Sequence, residues 1–290
     1  MGKKIDLEHI IKMYGESIED DLANLEKIDP YIIQQCETLL KTSQYKTTQN
    51  WVLGKKTIRT LHVAQAFSEN YPEDILRTSI EIDAIVNHLD DLFDEKLDKK
   101  NKVPPIIEIF RLLANSYRID LNREMKSAIS KYYDNIVVVA ASEGYYYDLI
   151  KSSRDVNEMF EYSKSLYDCR SLDMDVFVEL PAIRLHADAD ELTNLKKIAR
   201  AYRSLNLIKK DMKDYEHDIK NENETIITLL SERKLELEDV IKRLSRHYMK
   251  ISNDVPIKGK FSLVIANFRS MIKRENRDLE STLRALMAVL

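Results

Sequence analysis

The sequence predicts an all-α protein, and three observations carry that reading. Apolar residues recur at spacings near 3.6 through most of the chain, and no stretch alternates with period two. Five glycines and six prolines in 290 residues are too few for a turn-rich β fold. A chain of this length can bury a large core. With no internal repeat or low-complexity linker, the expectation is one helical domain over residues 1–290, built as a bundle around a central cavity.

In order, residues 5–42 carry helical periodicity broken at Pro30, and the polar residues 43–51 read as a loop. A helix then opens near Gly54 and runs on through Val63, Ala64 and Phe67. The next begins just after Pro72, with Asn70 as its expected cap. Its stripe is Ile75, Leu76, Ile80, Ile85, Val86, Leu89, Leu92 and Phe93. Pro104-Pro105 forces a break. Helical patterns resume at 106–114, 121–147 and 156–185, the last interrupted by Pro181. A long helix from Glu191 through Ile219 follows, ending in Lys220–Glu224. Residues 226–250 and 261–290 give two more, joined by a loop around Pro256 and Gly259.

Composition narrows the function classes. A net charge of −4 leaves no electrostatic footprint for nucleic acid. Cys36 and Cys169 are too few for a disulfide framework or a zinc site, which points to a reducing compartment. No apolar run reaches the length of a membrane span and the N-terminus has no apolar signal core, so the expected location is cytoplasmic.

Two acidic stripes stand out. Asp90, Asp91 and Asp94 lie late in their helix, three and four residues apart, where the helix dipole disfavours negative charge. Asp211, Asp214 and Asp218 fall at i, i+3 and i+7 of another helix. The bland reading is two solvated acidic faces. Packed across a cavity, the stripes would instead offer hard oxygen ligands suited to Mg²⁺ and substrate phosphate oxygens. Lys55, Lys56, Arg59, Lys99 and Lys100 would supply a clamp for those oxygens, although a basic run at a helix start is also what a solvated terminus looks like. The combination suits departure of a diphosphate, which needs charge neutralisation and an apolar pocket and no nucleophile.

Order and spacing of these residues, from about 50 to 230, resemble those of a trans-isoprenyl diphosphate synthase of the class I isoprenoid synthase fold. Asp90-Asp91-Leu92-Phe93-Asp94 resembles the family's first aspartate-rich motif, and Lys99-Lys100 its basic pair. Lys56-Thr57-Ile58-Arg59-Thr60-Leu61 is similar to the segment that holds isopentenyl diphosphate. Arg170-Ser171 falls near the family's Lys-Thr, and Lys210-Asp211-Met212-Lys213-Asp214 near the second aspartate-rich motif. There are departures. Lys210 replaces the first aspartate of the second motif, Asp83 stands where a His or Gln is usual, Thr60 replaces proline, and Arg170 replaces lysine. Leu205-Asn206-Leu207 stands where the usual Phe-Gln is expected.

The resemblance implies Mg²⁺ held by Asp90, Asp91, Asp94, Asp211, Asp214 and Asp218. It implies an allylic diphosphate ionised there, with Lys99 or Lys210 helping to neutralise the leaving group. Isopentenyl diphosphate, on Lys56 and Arg59 with help from Lys100, would then attack the cation. Ile85 and Val86 would line the pocket for the growing chain, and Arg170 and Ser171 would contact substrate. A homodimer is expected by the same resemblance. Three alternatives stay open: a terpene cyclase or head-to-head synthase on the same fold, a non-catalytic subunit of a heteromeric partner, and an unrelated helical scaffold. The acidic motif also resembles that of squalene and phytoene synthases, whereas the basic pairs favour elongation.

Overall fold

A computed structural model describes residues 58–94 and 121–290, with the backbone alone described over 87–94. Lys55, Lys56, Lys99 and Lys100 lie outside the described residues, as do the helices read before residue 53 and at 106–114. Every described element is helical, and among the described residues there is no strand. No described helix is long and apolar enough to cross a membrane. Within this all-α architecture the chain divides into two compact units, Met1–Arg123 with Ile183–Leu185, and Glu124–Ala182 with His186–Leu290.

In the first unit α1 (Ile58–Phe67) packs on α2 (Glu73–Asp94). The expected cap is displaced. Asn70 belongs to a short 3₁₀ turn, Ser68–Asn70, and the Pro72 carbonyl instead accepts from the amides of Ile75 and Leu76, both at 3.1 Å. Proline's fixed φ suits that entry. Ile75, Leu76, Ile80, Ile85 and Val86 are buried as the periodicity requires. The opposite side of α2 is buried too where it is described, taking in Thr78, Ser79, Glu81 and Asp83.

The second unit is arranged around α6. Ahead of it come α3 (Arg123–Ser152), α4 (Val156–Arg170) and α5 (Asp175–Arg184). Pro181 does not break the pattern expected over 156–185. The interruption falls at a 3₁₀ turn, Ser171–Met174, while α5 runs through Pro181. Burial of Val176, Phe177, Val178, Leu180 and Ala182 holds α5 helical despite the lost amide. At the turn, the Ser171 hydroxyl donates to the Asp168 carbonyl at 2.8 Å, and Asp173 is gripped by Arg203.

Helix α6 (Ala189–Lys213) starts at a capping box in which Asp188 and Glu191 satisfy each other's backbone amides. It then packs against α4, the 3₁₀ turn, α9 (Lys234–Asp254) and α10 (Ser262–Val289). From Ala201 to Lys209 every residue is buried, which makes α6 a central helix rather than an amphipathic surface one. Its polar residues are paired. Arg203 donates to both oxygens of Asp173 and to Asn206, whose amide reaches Glu275, which in turn pairs with Lys209. The two cations and two carboxylates balance, as buried charge requires.

The long helix expected through Ile219 breaks at Asp214. Its amide closes α6 by donating to the Lys210 carbonyl at 2.9 Å, and α7 (Tyr215–Asn221) begins afresh. Asn223 then donates to the Asp218 carbonyl at 2.9 Å, past Glu222 at φ 57°. The helix read over 226–250 is also two: α8 (Ile226–Leu230), capped by Thr225, and α9.

Candidate functional site

The end of α6 is where the chemistry gathers in the second unit. Arg170, in the last turn of α4, meets Asp211, in the last turn of α6, across 41 residues of sequence. Arg170 Nη1 donates to Asp211 Oδ2 at 2.8 Å, and the Tyr167 hydroxyl donates to the same oxygen at 2.9 Å. Tyr167 and Arg170 stand three residues apart on α4, so one face presents both. The guanidinium lies 5.7 Å from the Tyr167 ring centroid. On its other side Arg170 Nε pairs with Glu143 Oε1 of α3 at 3.1 Å.

Electrostatics follow from this packing. Burial raises the Tyr167 phenol well above its ordinary value, and Asp211 raises it further, so it stays protonated and donates. Burial also raises Tyr147, on α3, which feels Arg170, Glu143, Asp211 and Asp218. Desolvation works against the Arg170 charge, but Asp211, Tyr147, Glu143 and Tyr167 together outweigh it and the cation is held. Asp218 is pushed up by burial, against the Asn223 amide, with Asp214 and Asp211 adding to the rise. The three aspartates read as one stripe are thus electrostatic neighbours, joined across a helix break rather than along one helix. Asp211 and Asp218 are buried, Asp214 is half-buried, and Lys210 is exposed beside them.

The remaining expected site residues fall as follows. Ser171 is buried and its hydroxyl serves the turn after α4. Ile85 and Val86 are in the buried interior of the first unit. The side chains of Asp90, Asp91 and Asp94 lie outside the described residues, their backbone forming the end of α2. Arg59 differs from the expected phosphate clamp. Its Nη1 donates to Asp83 Oδ1 at 2.9 Å, and both groups are buried. Asp83 Oδ2 accepts from the Thr60 amide at 2.9 Å and the Thr60 hydroxyl at 3.1 Å. Two departures from the family pattern are therefore one device, because a proline at 60 would have no N–H to give Asp83.

Tyr167, Glu143 and Tyr147 join the site without having been singled out for it. The i, i+3 spacing of Tyr167 and Arg170 is a legible signal, whereas the approach of α3 is not.

These contacts do not fit a Mg²⁺ at Asp211. The carboxylate oxygen is already shared by a guanidinium and a phenol, and Mg²⁺ demands oxygens at close, octahedral range. Among the described residues no three His, Cys, Asp or Glu side chains converge closely enough to hold a metal ion. Compared with protein-family models, curated proteins and solved structures, the chain matches none.

Proposed function

We propose that this chain is a divergent trans-prenyltransferase, which joins an allylic diphosphate to isopentenyl diphosphate and releases inorganic diphosphate. One observation supports the reading most. Arg170 and Asp211, picked out separately by resemblance to the Lys-Thr and second aspartate motifs, are in direct contact at 2.8 Å. An all-helical chain with acidic groups at the ends of two long helices accords with it.

In this reading the allylic carbon–oxygen bond breaks heterolytically and the electron pair leaves with the diphosphate. The double bond of isopentenyl diphosphate attacks the allylic cation, and the released proton passes to the departing diphosphate. Mg²⁺, carried by Asp90, Asp91 and Asp94, supplies charge neutralisation on the phosphate oxygens. Lys55, Lys56, Lys99 and Lys100 provide the cationic counterpart, and Ile85 and Val86 belong to the apolar wall for the chain. Arg59, buried on Asp83, has no direct part.

A product assay tests this. Dimethylallyl, geranyl, farnesyl and geranylgeranyl diphosphates are offered in turn with Mg²⁺, each with and without isopentenyl diphosphate. Longer prenyl diphosphates only in its presence are the expected result. Hydrocarbons or alcohols formed without it would assign the chain to cyclisation or head-to-head chemistry. No turnover with any would refute catalysis and favour the non-catalytic subunit, a reading to which the Arg170–Asp211 pair and Lys210 also lend weight.

A further inference from the structure

Helix α3 is anchored by only four buried residues, Met125, Ala128, Tyr132 and Ile150. Nothing between Tyr132 and Ile150 is buried, although that stretch reads Ile136-Val137-Val138-Val139-Ala140-Ala141 and then Tyr145-Tyr146-Tyr147. Three successive valines are poor helix formers, so a helix there draws its stability from packing rather than from propensity. One side has its packing: Glu143 meets Arg170 Nε at 3.1 Å, and Tyr132 and Ile150 are buried on that same side. The opposite side carries Lys131, Asp134, Val138, Ala141, Tyr145 and Asp148, spaced alternately three and four, and all six are exposed. Val138 is 52% exposed, Tyr145 63% and the flanking Val137 69%. A contiguous apolar strip of this kind marks a surface that another one covers. Lys131, Asp134 and Asp148 make no ion pair among the described residues.

We propose that this stripe is the contact between two copies of the chain, an antiparallel pairing of α3 with its two-fold mate. The charge pattern selects both the occupant and its direction. A two-fold contact is self-complementary, so each pairing occurs twice. Set antiparallel about the midpoint of Val139 and Ala140, Lys131 of one copy faces Asp148 of the other, Asp134 faces Tyr145, and Val138 faces Ala141. Opposite charges then tie both ends, the tyrosine hydroxyl donates to the carboxylate, and the apolar centre is closed to water. Ala141 leaves room for Val138. A parallel pairing would instead set Lys131 on Lys131 and Asp148 on Asp148, and slipping the antiparallel register by three residues would set Asp134 on Asp148. Like charges facing each other disfavour both. The contact rests on packing and charge, independently of the reaction proposed above.

Sedimentation equilibrium of the full-length chain over roughly 1–100 µM tests this, with circular dichroism to check that each variant is folded. The native chain is expected to form a dimer that Val138→Glu dissociates. Glutamate is a better helix former than valine, so the substitution does not weaken α3 itself. Lys131→Glu and Asp148→Lys should each weaken the dimer by about tenfold, because two exposed ion pairs turn repulsive. Lys131→Glu/Asp148→Lys should restore it. Leu235→Glu, at a 79% exposed leucine on α9, should leave the dimer unchanged. A chain that is monomeric throughout, its stripe bare or covered by another part of the same chain, would overturn the proposal. So would a dimer that Val138→Glu leaves intact, or charge reversals that do not rescue each other. If Val138→Glu fails to fold, the charge pair decides. A failed product assay would leave this contact standing, and a monomer would leave the prenyl-transfer reading standing.

Discussion

Removing the Arg59 guanidinium should be among the most damaging changes available in the first unit. Asp83 is 0% exposed, and among the described residues its carboxylate accepts from Arg59 Nη1, the Thr60 amide and the Thr60 hydroxyl. Arg59→Ala takes away a charged donor from this fully buried carboxylate. Breaking such a pair from one side costs about 3–5 kcal/mol, whereas replacing both partners by apolar groups is often close to neutral. Arg59→Met/Asp83→Leu should therefore be markedly more stable than Arg59→Ala. The penalty should also depend on pH. Burial already raises the Asp83 carboxyl above its ordinary value, and Arg59 and Thr60 pull it back down. Without Arg59 the native state holds this proton still more tightly than the unfolded chain does. Stability is then present below the unfolded carboxyl value and is lost as pH rises through the folded one, so the penalty is larger at pH 8 than at pH 5. Urea unfolding followed by far-ultraviolet circular dichroism at both values measures it. An Arg59→Ala chain within about 0.5 kcal/mol of the native one, the margin of an ordinary surface change, or an equal penalty at both pH values, would refute the reasoning. It would return Arg59 to the phosphate clamp.

Three further outcomes are expected. Ile85→Phe, in the interior of the first unit, should shorten the prenyl product, as chromatography of the chain lengths would show; an unchanged spectrum counts against this pocket wall. Arg203→Met removes the guanidinium that grips the buried Asp173 carboxylate and should cost about 3–5 kcal/mol in urea unfolding. His247, packed edge-on to Phe160 and Tyr248, is lowered by burial, with Asp168 opposing. Its titration by nuclear magnetic resonance should fall below the ordinary histidine value. Its contribution to stability should be complete above that value and lost as pH falls through the folded one, a dependence that His247→Phe should remove.

The contrast between Arg59 and Arg170 shows how far the sequence reaches. Helix α2 was legible from its stripe, because the 3.6 period reports directly which residues face inward, and Ile75 through Val86 obey it. The burial of Asp83 on the other side was not, since it depends on α1 packing there and on a partner 24 residues away. Spacing marked Asp211, Asp214 and Asp218 as neighbours, and they are. The break at Asp214 was hidden because nothing local demands it: Lys213, Asp214 and Tyr215 all tolerate a continuous helix. Pro181 erred in the opposite direction. It is a strong local breaker, overruled by the burial of its neighbours in α5. Arg170 and Asp211 were each singled out, but only the packing of α4 on α6 brings them together. That meeting gives the Asp211 carboxylate, expected to face a metal, a guanidinium partner.

The central claim is that an acidic group at the end of α2 helps a diphosphate leave and that isopentenyl diphosphate captures the cation. Its most direct test is the rate of inorganic diphosphate release from dimethylallyl diphosphate with Mg²⁺, in the native chain and in Asp90→Ala/Asp94→Ala. The account predicts release that requires isopentenyl diphosphate and falls by about 10²-fold or more in the double variant, the scale of losing a leaving-group stabiliser. Release that survives the double substitution, or that ignores isopentenyl diphosphate, would contradict it.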